Sequence, residues 1–430
     1  MKLTGTQRGV FATLFAIGLM ANIEKGMVGL IAPYLQDPEY MGGLGLPAFN
    51  ASQVGLTTTL FYASFIVMTF GAGWFVDKFG YKIFVPVCLG ILAAGSLLFG
   101  LFGFNASPAL FLLLPIARLI IGFGQAGYTN GTPPVIAKNF DAESRGSVQG
   151  KVVATAGLGT ILVYLVFVWI VDRDFRWVYF IMAGLLAVCL LMFMRLVPGE
   201  TEAEKAAKAA NRAADVKFSE AWTNRNTLVL AVTLLLNNLV GVALLSWVNS
   251  MYASEFPEQL AAQPWAGTVI LVMYGVTLLI ATYTGADIIK RWFAGREKIF
   301  MLVCSAIGAV FLLGSVLVPS LWGSAVSMWL SNLFIMWAFS ALLALPYRLI
   351  PVRIIGSAFA VINIGAFVGG LLQGYGIGAI VDATGGYTVA FIVLAALLLL
   401  AGVVPFLLRE PQQPAVGPAP AGGASASAAA

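Results

Sequence analysis

The chain has 430 residues, of which 60% are hydrophobic and 10% charged, with a formal net charge of +5 and no histidine. A soluble domain carries about 25% charged residues, so a water-facing globule is excluded and lipid is the expected solvent. The three cysteines, Cys88, Cys189 and Cys304, each lie in an apolar run, which argues against a disulfide framework or a metal site.

A helix needs about 20 apolar residues to cross the hydrocarbon core. In chain order, that length predicts spans over 9–34, 53–76, 82–103, 108–131, 148–171 and 175–197. After a gap they resume over 226–250, 264–289, 298–318, 322–345, 354–381 and 386–408. The first run carries charges and is followed by no small-residue cleavage site, so it reads as a span and not as a signal peptide. The gap is rich in Ala, Lys, Glu and Arg and reads as a surface linker with some amphipathic helix. The expected fold is an all-α membrane protein of about twelve transmembrane helices. Its divisions are a six-helix bundle over 1–197, a linker over 198–225, a second bundle over 226–409 and a disordered Pro/Ala/Gly/Ser tail over 410–430.

Basic residues collect on the cytoplasmic side of a membrane protein. With both termini in the cytoplasm, every Lys and Arg falls on that side except Arg173 and Arg176, opposite, and Lys25 and Arg118, within the membrane. The far side then holds Asp37, Glu39, Asp172, Asp174, Glu255, Glu258 and Asp382. A multi-pass protein of the inner (plasma) membrane is expected, and the positive charge is a signal of topology rather than of nucleic-acid binding.

Two features recur across the linker at nearly constant offset. Arg145-Gly146-Ser147 is answered by Arg353 with Gly356-Ser357, and Gly73 by Gly285. Two parallel six-helix halves suit an alternating-access carrier with its site between them. The stretch from Gly73 through Asp77, Lys78 and Gly80 to Lys82 resembles the GxxxD(R/K)xG loop of the major facilitator superfamily, and Arg118 with Gly122 and Gly124 resembles its RxxxGxG motif. In the second half Lys290 stands where the loop's acid is expected. Asp77 sits where a carboxylate can cap a neighbouring helix N-terminus, a latch of about 1–2 kcal/mol. Gly73 and Gly80 permit close approach and a tight turn. Gly73, Asp77, Lys78, Gly80, Lys82 and Arg145 are thus the candidate gating residues; an ordinary positive-inside loop is the alternative.

Few ionisable residues lie at membrane depth: Glu24, Lys25 and Arg118. Each costs at least about 2.5–3.5 kcal/mol there and is a functional candidate by default. Adjacent helical residues point about 100° apart, so Glu24 and Lys25 need other partners. One cation is left in excess, which favours an anionic substrate. Arg118 has a second reading, as a purely structural helix clamp. Span 1, from Asn22-Ile-Glu24-Lys25 to Ala32-Pro33, resembles the Y-x-D-R…A-P stretch of the anion:cation symporter family, with Ser246-Trp247 and Asn363 extending the likeness. The resemblance implies that Lys25 contacts a carboxylate, that Glu24 carries the coupling proton and that Arg118 pairs with one of them. Asn22 replaces that family's usual Tyr, and Gln125 stands where many members carry Glu.

Polar and aromatic residues at depth complete the candidate cavity: Tyr62, Gln125, Asn130, Asn237, Asn238, Trp247, Tyr274, Asn332, Trp337 and Asn363. Each must find a partner or line water. The adjacent amides Asn237 and Asn238 are the strongest pair. No Gly-rich nucleotide loop and no convergent nucleophile and base are present, so neither an ATP-driven cycle nor an enzyme is expected. The reading is a monomeric carrier that takes up a small organic anion with protons, without cofactor or metal. The alternatives are a proton-driven exporter of drug-like or amphiphilic compounds, weakened by the absence of Pro from the Gly150–Gly159 stretch, and a proton-independent anion exchanger or facilitator.

Overall fold

A computed structural model describes residues 4–199, 218–351 and 354–409, and among these the regular structure is helical, with no strand. The expected linker and tail fall largely outside the described residues, as does Arg353. Among the described residues twelve helices are long and apolar enough to cross a membrane. Spans 1–6 are Gly5–Gln36, Ala51–Ala72, Tyr81–Phe102, Leu110–Asn139, Ser147–Val171 and Phe175–Leu196. Spans 7–12 are Arg225–Glu255, Pro264–Trp292, Glu297–Leu317, Leu321–Leu343, Ala358–Thr384 and Thr388–Leu407.

Local chemistry sets where these helices start and stop. Thr4 with Gln7 and Asn50 with Gln53 form reciprocal capping boxes that satisfy the first N–H groups of spans 1 and 2. The helix of span 2 runs on to Phe79 and ends at Gly80, whose φ of 78° is open to glycine at little cost. Pro115, Pro133 and Pro134 lie inside span 4, each removing a backbone donor. Span 5 carries a π-helical turn over Val163–Phe167.

The packing repeats with an offset of six spans. Span 3 lies on span 4, span 2 on span 4 and span 3 on span 6; span 9 lies likewise on span 10, span 8 on span 10 and span 9 on span 12. The first six spans meet the last six mainly through span 2 on span 11, span 5 on span 8 and span 1 on span 7.

This seam is tight at the end of the bundle away from the chain termini. Gly55 and Gly374 pack so closely that a Cβ on Gly55 would overlap the Gly374 carbonyl, and one on Gly378 would overlap that of Ala51. Thr59 Oγ1 donates to Leu371 O at 3.0 Å and accepts from Tyr375 N at 2.8 Å. Asn249 Nδ2 donates to the Gly29 and Leu30 carbonyls at 3.2 and 3.0 Å. Asp382, in the last turns of span 11, accepts from Ala51 N at 2.9 Å, Ser52 N at 2.8 Å and the Ser52 hydroxyl. Nearer the middle, the Phe65 and Phe367 rings pack at a tilt of 46° with centroids 4.4 Å apart. One turn further toward the termini on the same face of span 11, Asn363 is exposed. Among the described residues the two sets of spans are therefore held together toward the far end, while Asn363, nearer the termini, is exposed.

Candidate functional site

Between the two sets of six spans lies a cavity of about 560 Å³ walled by spans 1, 5, 7, 8 and 10. It runs from mid-bundle toward the end with the termini, where Val153 and Leu343 on its rim are exposed. Its mid-depth polar lining comprises Asn22, Lys25, Asn237, Asn238, Tyr274 and Asn332. Lys25 and Asn22 therefore converge here with four of the candidate cavity residues, Asn237, Asn238, Tyr274 and Asn332.

The three charges at depth separate into a pair and a single cation. Arg118 Nη1 lies 3.2 Å from Glu24 Oε1 and also donates to the Glu24 carbonyl at 3.3 Å. Both side chains are buried, and the guanidinium lies 4.7 Å above the Phe61 ring. Among the described residues one oxygen of Glu24 and Nε of Arg118 have no hydrogen-bond partner. Lys25, the next residue in the chain, points into the cavity, its Nζ 5.7 Å from the centroid of the Tyr62 ring. Among the described residues no carboxylate lies within ion-pair distance of Lys25. The buried pair cancels itself, so the cavity carries one uncompensated positive charge.

The two adjacent amides have divided their work. Asn238 Nδ2 donates to Ala366 O at 2.6 Å and ties span 7 to span 11. Asn237 is 1% exposed, lines the cavity, and among the described residues has no partner for either its amide nitrogen or its oxygen. A buried amide left unpaired costs about 1–3 kcal/mol, which a ligand can recover. Asn22 Nδ2 is held by Gly18 O and Thr155 Oγ1, and Asn332 Nδ2 by Tyr274 O and Thr277 Oγ1.

The remaining candidates lie off the cavity wall. Trp247 donates to Gln373 Oε1 at 3.1 Å and Trp337 to Thr284 Oγ1 at 2.9 Å, both between helices. Gln125 donates to Ala21 O at 3.2 Å, and Asn130 to Thr69 Oγ1 at 3.4 Å. Tyr62 is buried at the span 2–span 11 seam, its ring filling the space a Cβ on Gly370 would need. Arg118 sits behind the cavity with Glu24.

Within the loop motif, Gly73 and Asp77 lie outside the residues whose side chains are described. Lys78 lies 5.2 Å from the Phe79 ring. Lys82 donates to the carbonyls of Phe193, Met194 and Val197, a cation at the C-terminus of span 6. Arg145 Nε donates to Phe140 O at 2.9 Å across the turn between spans 4 and 5.

The far-end seam was not singled out by its sequence. Its signal was there, in the spacing of Gly370, Gly374 and Gly378 by four, which puts small residues on one helix face. Asp382 read only as one of the far-side acids, because its bond partners are 331 and 330 residues away.

A Major Facilitator Superfamily profile matches residues 10–374. The hexuronate transporter of Bacillus subtilis (strain 168) is 23% identical over 410 residues, covering 92% of each chain. Protein spinster homolog 1 of Xenopus laevis is 25% identical over 320 residues, covering 69% of this chain and 57% of that protein. Among solved structures, a bacterial homologue of the human lysosomal transporter Spinster, in an inward-facing and unoccupied conformation, superposes with a TM-score of 0.71 at 15% identity. That match covers 94% of this chain and 97% of the other.

Proposed function

Because this chain belongs to the major facilitator superfamily, we propose that it carries a small organic anion across the plasma membrane by alternating access, coupled to protons. The observation that carries this reading is Lys25: among the described residues it is the one charge on the cavity between the two sets of spans, and no carboxylate there pairs with it. A desolvated cation without a counter-ion is costly, and a carboxylate in the cavity removes that cost. The hexuronate transporter's name agrees with an anionic cargo.

With both termini in the cytoplasm, the present conformation is inward-facing. Substrate reaches Lys25 and Asn237 from the end that carries the termini, and the bundles over 1–197 and 226–409 rock about the seam to expose the same residues on the other side. Glu24 is the proton site. It is the one carboxyl group at mid-depth, and among the described residues its only ionic partner is Arg118. Rocking that strains this contact lets Glu24 exchange its partner for a proton, and the anion held at Lys25 offsets the positive charge that the proton adds. Anion and proton then favour one another's binding by the same factor.

Reconstituted protein tests this reading. Accumulation of a carboxylate in proteoliposomes above its external concentration should be driven by an inwardly directed proton gradient and vanish when the gradient is collapsed. Accumulation of lipophilic cations with no anion transport would contradict it.

A further inference from the structure

The cavity is polar at one end and apolar along its length. At mid-depth stand Lys25 and the unpaired amide of Asn237; from there to the mouth the wall includes Leu278, Met336, Phe339 and Leu343.

The hydroxyls that interrupt this apolar wall have spent their protons. Ser340 Oγ donates to Met336 O at 3.0 Å, Thr282 Oγ1 to Leu278 O at 2.8 Å and Thr160 Oγ1 to Ala156 O at 3.0 Å. Each is bonded back to its own helix one turn earlier, as hydroxyls in apolar surroundings commonly are. The three oxygens can still accept, but a polyhydroxylated ligand body would find few free donors on this wall, and each of its buried oxygens left unmet would weaken binding. An apolar body loses nothing on the same wall and gains by leaving water.

Charge narrows the ligand further. Glu24 and Arg118 neutralise each other outside the cavity, so Lys25 offers one positive charge and no more. A second carboxylate would be buried without a counter-ion, which strongly opposes binding.

We propose that the substrate is an amphiphilic monocarboxylate, its carboxylate held by Lys25 and the Asn237 amide N–H and its aryl or alkyl body against Leu278, Met336, Phe339 and Leu343. The proposal rests on the organic-anion reading above and narrows it from carboxylates in general to those with an apolar body.

Thermal-shift titration of the purified full chain tests it, since a ligand raises apparent stability by mass action. Four probes separate the possibilities: 4-phenylbutyrate, glucuronate, glutarate and 4-phenylbutylamine. The expected result is saturable stabilisation by 4-phenylbutyrate, with glucuronate and glutarate at least about tenfold weaker and the amine inert. Phe339→Ser should weaken 4-phenylbutyrate by at least about tenfold, and Phe339→Leu, which keeps the wall apolar, should restore most of it. Stabilisation by glucuronate or glutarate without 4-phenylbutyrate overturns the proposal and leaves the organic-anion reading standing. Stabilisation by the amine alone overturns both, and failure of 4-phenylbutyrate to bind overturns the proposal in every case.

Discussion

Glu24 and Lys25 are consecutive residues of span 1 with opposite surroundings. The Glu24 carboxylate is fully buried, 3.2 Å from Arg118, while the Lys25 ammonium reaches the cavity and meets no carboxylate among the described residues. The turn of about 100° between neighbours on a helix makes the separation possible. It yields a neutral pair behind the wall and a charge on it.

Coupling is tested at the pair. Glu24→Gln mimics a permanently protonated carboxyl, so substrate binding and counterflow exchange should persist while accumulation driven by a pH gradient disappears. The single change leaves a buried guanidinium without its counter-ion, at about 3–5 kcal/mol, so Glu24→Gln combined with Arg118→Gln is measured beside it for stability. If Glu24→Gln still concentrates substrate along an imposed proton gradient, the coupling site lies elsewhere.

The adjacent amides should separate cleanly. Asn238→Ala removes the bond to Ala366 and should cost about 1 kcal/mol of stability while leaving affinity nearly unchanged. Asn237→Ala removes an amide that has no partner among the described residues; stability should hold or rise, and substrate affinity should fall about tenfold, the loss of one good hydrogen bond. Melting temperature and dissociation constant, measured on both variants, decide the matter. Equal effects of the two changes would refute the division of roles.

The far-end seam sets which conformation is favoured. Gly374→Leu places a side chain where the Gly55 carbonyl and Thr59 already lie, so it should open that end. Asp382→Ala should act in the same direction but less, by about 1–2 kcal/mol, because it removes acceptors for the first N–H groups of span 2 and a negative charge at that helix's N-terminus. Spin-label distances between the far ends of spans 2 and 11 should lengthen in both variants. Unchanged distributions would reduce the seam to passive packing.

Much of this architecture was legible in the sequence because lipid imposes simple requirements. Length and hydropathy locate twelve spans, and the rarity of charge at depth leaves Glu24, Lys25 and Arg118 as the residues to explain. The excess of one cation was legible too, but not which cation was in excess: pairing Arg118 with Glu24 joins residues 94 apart in the chain, and no spacing rule reaches that far. The contrast between Asn237 and Asn238 was hidden for a different reason. Both are amides in one span, and only the packing of span 11 determines which of them is satisfied. The hydroxyls of Thr160, Thr282 and Ser340 carried no signal, since whether a hydroxyl donates to its own helix or to a ligand depends on its rotamer.

The most direct test of the account is the affinity of purified Lys25→Ala and Lys25→Arg for a stabilising carboxylate, measured by calorimetry beside the parent protein. Loss of a charge-assisted contact should weaken Lys25→Ala by about 10- to 100-fold, with Lys25→Arg retaining part of the affinity because the charge remains. Undiminished carboxylate binding by a folded Lys25→Ala would contradict the assignment of Lys25 as the charge that recognises the anion.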